Sequence, residues 1–134
     1  MLHNLVVNLL HNSISPYLIL QQYNLPRAVL PKGIISQDYD SSNGKLTVRL
    51  HDSCSYKIEE VQLKFQYILT CVLTIDNISY LEGALVQVSS NEWRTLEKVT
   101  RVNDKLKFIA GDFQREASLS NFLLNPECVC LCLN

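Results

Sequence analysis

His51, Asp52 and Cys54 stand within four residues of one another, and a histidine beside a carboxylate and a thiol has the composition of a nucleophilic hydrolase site. The spacing does not build one. Neighbouring residues on a strand point to opposite faces, and Cys54 lies three positions beyond His51, so local chain geometry alone brings no imidazole to the thiol. A G-x-S-x-G elbow, an H-E-x-x-H pair, a P-loop and a G-x-G-x-x-G turn are all absent from the sequence. No catalytic residue is assigned, and His51 reads as a surface-loop histidine. A weak hydrolase built on His51, Asp52 and a nearby Ser or Cys remains an alternative.

The other chemistry-bearing residues are the five cysteines at 54, 71, 128, 130 and 132. Cys128, Cys130 and Cys132 alternate, so an extended chain would point them the same way. A C-x-C-x-C run lacks the paired C-x-x-C spacing of a zinc site and has no nearby histidine, so neither metal nor cofactor is expected. Cys71 sits in an apolar strand pattern and reads as a small core hydrophobe. Asn77-Ile78-Ser79 fits the N-glycosylation pattern, which matters only if the chain enters the secretory route. Trp93 beside Arg94 reads as a packing anchor at a strand edge.

Composition narrows the partners. The 134 residues match one domain, and 12 basic against 13 acidic residues give a net charge of -1 with no run of like charge, which disfavours nucleic acid. Residues 1–14, MLHNLVVNLLHNSI, carry an apolar run broken by Asn8 and no basic leader, so they read as an N-terminal tail or a degenerate targeting segment and are too short for a membrane span. The compartment stays open between cytoplasm and secretion, and the oligomeric state is not set by the sequence. Residues 129–134 read as a Cys-rich tail, leaving 15–128 as the domain.

The elements that must position these residues are legible in turn. Ser15 before Pro16 is a helix start, with Tyr17, Leu18, Leu20 and Gln21 at helical spacing, and Asn24 suits the left-handed residue at a helix end. Pro26 and Pro31 force turns after Tyr23. Beyond Gly44 the period becomes two: Leu46, Val48 and Leu50 after an Asn43-Gly44 turn, then Val61, Leu63 and Phe65, then Tyr67, Leu69, Cys71, Leu73 and Ile75 on one face of a central strand. Ala84, Val86 and Val88 follow Gly83, and Leu106, Phe108 and Ala110 follow Asn103-Asp104. Ser118–Leu124 predicts a brief helix. The fold class expected is mostly β, an antiparallel barrel-like or sandwich domain with an N-terminal helix and a short C-terminal helix.

The run Tyr23-Asn24-Leu25-Pro26-Arg27-Ala28-Val29-Leu30-Pro31-Lys32-Gly33-Ile34, following a helix, resembles the plant family called domain of unknown function 538 (DUF538), whose members carry Y-G-L-P-R-G-L-L-P-x-G-V there. The likeness continues through Cys54, Thr70 to Ala84, Trp93, Arg101 to Phe113, and Pro126-x-Cys128. Asn24, Ala28, Cys71 and Tyr80 stand where that family tends to have glycine, and Val72 where a basic residue is common. Tyr23, Leu25, Pro26, Leu30, Pro31 and Gly33 are the motif positions, read as structural residues that orient the helix against the sheet. If the chain is secreted, the resemblance implies a Cys54–Cys128 bridge. Apolar residues on both faces of Tyr67 to Ile75 point to a non-catalytic module binding a small apolar or lipid-like ligand. A protein-interaction adaptor is a further alternative, and the family loosely implies a role in plant stress or development.

Overall fold

A computed structural model of the chain describes residues 14–122 and the backbone of residues 129–130. The predicted helix forms as α1, Pro16–Gln22, with Ser15 Oγ accepting from the Tyr17 amide at 3.1 Å and Pro16 in the first turn. Tyr23 caps it and Asn24 adopts φ +62. Its buried side is a correction to the expected stripe: Pro16, Ile19 and Leu20 face the core, whereas Leu18 is exposed. Positions three and four apart share a face, and 16, 19 and 20 are the set that meets the sheet. A 3-10 turn, Arg27–Val29, lies between the extended residues Pro26 and Leu30.

Among the described residues ten strands follow: β1 Ile34–Asp40, β2 Lys45–Leu50, β3 Cys54–Ile58, β4 Val61–Thr74, β5 Asn77–Ser89, β6 Glu92–Thr95, β7 Lys98–Val102, β8 Lys105–Ala110, β9 Phe113–Ser118 and β10 Val129–Cys130. All pair antiparallel in one sheet of order β1-β2-β4-β5-β7-β8-β9, with β3 on β4, β10 on β3, and β6 on β5. Among the described residues the strands form one continuous open sheet, in keeping with the antiparallel β fold expected. The sheet curls: the Ser118 amide at the end of β9 donates to Glu59 Oε2 beside the start of β4 at 2.6 Å. The interior is closed by α1 and filled from the alternate positions expected, including Leu46, Val48, Leu63, Val86, Leu106 and Phe108.

The β4–β5 hairpin is the spine, and each long strand serves two neighbours. β4 pairs with β3 through Cys54↔Phe65 and with β2 through Arg49↔Ile68, while β5 pairs with β7 at its start and β6 at its end. Between these halves the ladder is broken. From Phe65↔Ala84 to Thr70↔Glu82, β4 advances five residues and β5 two, so Gln66, Tyr67 and Ile68 bulge out. That bulge corrects the expected inward face, since Tyr67 is 60% exposed; Ile75, in the turn after β4, is 61% exposed. Gly83 adopts φ +94, and a Cβ there would lie 2.2 Å from the Ile68 carbonyl oxygen.

At the other end, the brief helix is a 3-10 turn, Leu119–Asn121, with Ser118 as its cap, and Phe122 stacks on Phe108 with centroids 6.3 Å apart. Residues 123 and 124 lie outside the described residues, as do 1–13 of the expected N-terminal segment. Residues 129–130 pair with β3, Val129 opposite Ser55 and Cys130 opposite Cys54.

Candidate functional site

The six motif positions converge on the seat of α1. Leu25, Leu30 and Pro31 are buried, and the Pro31 carbonyl accepts the Tyr17 hydroxyl at 2.6 Å. Pro26 caps the 3-10 turn with φ -71, a value its ring fixes in advance. The Tyr23 and Tyr39 hydroxyls share a hydrogen bond of 2.5 Å, which ties the helix end to β1, and burial together with that bond raises the Tyr39 pKa. Gly33 is exposed at φ +93, turning the chain into β1. The Tyr56 hydroxyl on β3 donates to the Val29 carbonyl at 2.5 Å, and full burial lifts its pKa well above the ordinary phenol value.

A second set of bonds anchoring α1 was not legible as such in the sequence. The Tyr23 carbonyl accepts from the Asp76 amide at 2.9 Å, Asn24 Nδ2 donates to Asp76 Oδ1 at 2.7 Å, and an Arg101 guanidinium nitrogen reaches the Asn24 carbonyl and Oδ1, both at 3.0 Å. Helix end, β4–β5 turn and β7 are thus held together across 77 positions of sequence. The only local signal was Asn24 at a helix end. The positive φ at Asn24 and Tyr80 also accounts for two of the four positions where the resembled family prefers glycine. Ala28 and Cys71 are buried and have no such φ.

Beneath this seat lies the interior site. Leu20 of α1, Val29 and Leu30 of the turn region, and Leu46, Phe65, Leu69 and Cys71 of the sheet surround a cavity whose fourteen lining residues carry no charge. Its volume is about 20 Å³, the space of one water. Burial pushes the Cys71 thiol up to about 12, so it behaves as an apolar group.

The residues that first suggested chemistry are not assembled for it. His51 Nδ1 lies 3.2 Å from Asp52 Oδ2 on an exposed loop, while Cys54 is fully buried and disulfide-bonded, so its sulfur is no free nucleophile. Cys128 lies outside the described residues, and so the proposed Cys54–Cys128 pairing does too. Asn77 opens β5 with its side chain engaged: Nδ2 donates to the Ile75 carbonyl at 3.1 Å and Oδ1 accepts from Thr100 Oγ1 at 2.8 Å. Trp93 lies on β6, its ring capped by Lys64 Nζ at 4.3 Å from the centroid. Among the described residues, no three His, Cys, Asp or Glu side chains are grouped to hold a metal ion, and no helix is long and apolar enough to cross a membrane.

No curated protein and no solved structure matches the chain. One family model does, described as a protein of unknown function, DUF538, and its match runs over residues 16–123, from the first residue of α1 to just beyond Phe122. With the motif positions seating the helix and the match spanning the sheet through β9, the chain belongs to the DUF538 family.

Proposed function

We propose that this protein is a non-catalytic module that binds a small apolar or lipid-like ligand in the interior between α1, the 3-10 turn and the sheet. The observation that carries this reading is the lining of that interior: aliphatic and aromatic side chains and one neutral thiol, with no charged group to desolvate. At about 20 Å³ the cavity is closed, so a ligand must displace α1 or the side chains that α1 brings. The helix suits that movement. It has seven residues, too few to be stable alone, and its hold on the body includes discrete hydrogen bonds at its two ends. The family resemblance adds an association with plant stress or development.

The test is hydrogen exchange on the full chain with and without laurate as an apolar probe. Altered protection confined to α1 and the 3-10 turn, with a raised thermal midpoint, is the expected result. Unchanged exchange and midpoint at saturating laurate count against an interior site for lipid-like chains.

A further inference from the structure

We propose that the outward face of the sheet between Tyr80 and Asp40 is a separate binding track for a short, neutral oligosaccharide. Tyr80 is the starting point. It occupies a bulge, where β5 uses three residues from Ser79 to Glu82 against two on β4 from Val72 to Thr70. Its φ is +51, a conformation that L side chains with bulk rarely adopt, and the residue is 81% exposed. Packing therefore does not hold this tyrosine in a strained position; glycine would serve the bulge better. Backbone strain kept beside a groove is a mark of a site in use.

The groove is there. A hollow of about 310 Å³ is bounded by Lys45, Thr70, Val72, Tyr80 and Glu82. It adjoins, through Lys45, a second hollow of about 370 Å³ that includes Asp38, Tyr39 and Asp40. In register, Asp40, Lys45, Val72 and Ser79 lie in one row across β1, β2, β4 and β5. Three strand spacings make that row about 14 Å long, which suits a short oligosaccharide better than a single ring.

The chemistry selects the ligand. An aromatic face open to water takes the C–H face of a sugar ring, and hydroxyls then find the Lys45 ammonium and the Asp40 carboxylate in the row, with Thr70 and Glu82 beside it. Among the described residues, neither Lys45 nor Glu82 is ion-paired, so both are available. An apolar ligand would bury those charges unpaired. An anionic one would meet Asp40 and Glu82 against the single Lys45, since Asp38 is paired with Arg49 at 2.9 Å.

Amide chemical shifts of the full chain titrated with cellohexaose test this. Perturbations centred on Thr70, Val72, Tyr80 and Glu82 are expected. Tyr80→Gly should weaken binding by at least about tenfold while raising the thermal midpoint, because it removes the ring and relieves the positive φ together. Glu82→Gln, which leaves the fold untouched, should weaken binding several-fold. The proposal is overturned by no perturbation at about 10 mM sugar, a concentration that detects even millimolar affinity, or by parental affinity in both variants.

Discussion

Gly83→Ala probes the device that lets β4 and β5 part company in mid-hairpin. The new Cβ would lie 2.2 Å from the Ile68 carbonyl oxygen, a backbone atom that cannot rotate away, and φ +94 is unfavourable for any L side chain. A positive φ costs a residue with a Cβ roughly 1–2 kcal/mol. Moving the Ile68 carbonyl by an ångström or so loosens ladder bonds on either side, at about 1 kcal/mol for each bond lost. Together these give a destabilisation of about 3 kcal/mol, or a thermal midpoint lowered by about 12 °C for a chain of this size. Gly111→Ala is the control, since φ is +63 there and nothing lies within 4 Å of the added carbon. It should cost about 1 kcal/mol, the conformational part alone. Denaturant unfolding of both variants measures the difference. Equal midpoints would refute the close approach of β4 to Gly83.

Four further outcomes follow from named contacts. Tyr56→Phe removes the hydroxyl that satisfies the buried Val29 carbonyl and should cost about 1–3 kcal/mol in urea unfolding; a loss below about 0.5 kcal/mol would refute that bond. Stability should fall as pH rises from 9 toward 12, because the unfolded chain releases the Cys71 proton at its ordinary value of 9.0 while the folded chain holds it to about 12. Cys71→Ala should flatten that slope between pH 9 and 10, below the range where the raised Tyr39 and Tyr56 hydroxyls add to it, and native Cys71 should resist iodoacetamide at pH 8; stoichiometric native labelling would contradict both. Reduction of the Cys54 disulfide should lower the unfolding free energy by about 2–5 kcal/mol, read as a shifted denaturant midpoint with reductant present, and peptide mapping that finds Cys54 and Cys128 both as free thiols in oxidised, secreted material would remove that pairing. Pro26→Ala should cost about 0.4–1 kcal/mol through the unfolded chain, and an unchanged thermal midpoint would show that its ring adds nothing.

The elements that announced themselves did so through local chemistry. Ser15-Pro16 and Asn24 mark both ends of α1, and the period-two runs Leu46-Val48-Leu50 and Leu106-Phe108-Ala110 name the inward faces, since pleat and helix turn are set residue by residue. Tyr67 broke the pattern because a bulge is a property of two strands, invisible in either alone. Leu18 misled for a related reason, as an apolar residue is not obliged to be buried. The hold of Arg101 and Asp76 on the end of α1 depends on three distant segments meeting, and no spacing in the chain encodes it. Tyr80 was marked only as standing where the resembled family tends to have glycine; the groove beside it depends on its φ, its exposure and the strands it meets.

Native mass spectrometry of the protein isolated from its native source, followed by extraction of whatever travels with it, tests the interior site most directly. The expected result is a stoichiometric apolar compound whose release restores the apo mass and whose binding is reflected in altered protection at α1. A clean apo mass from native tissue, with no compound recovered, would contradict an interior ligand and leave the closed cavity of about 20 Å³ as ordinary core.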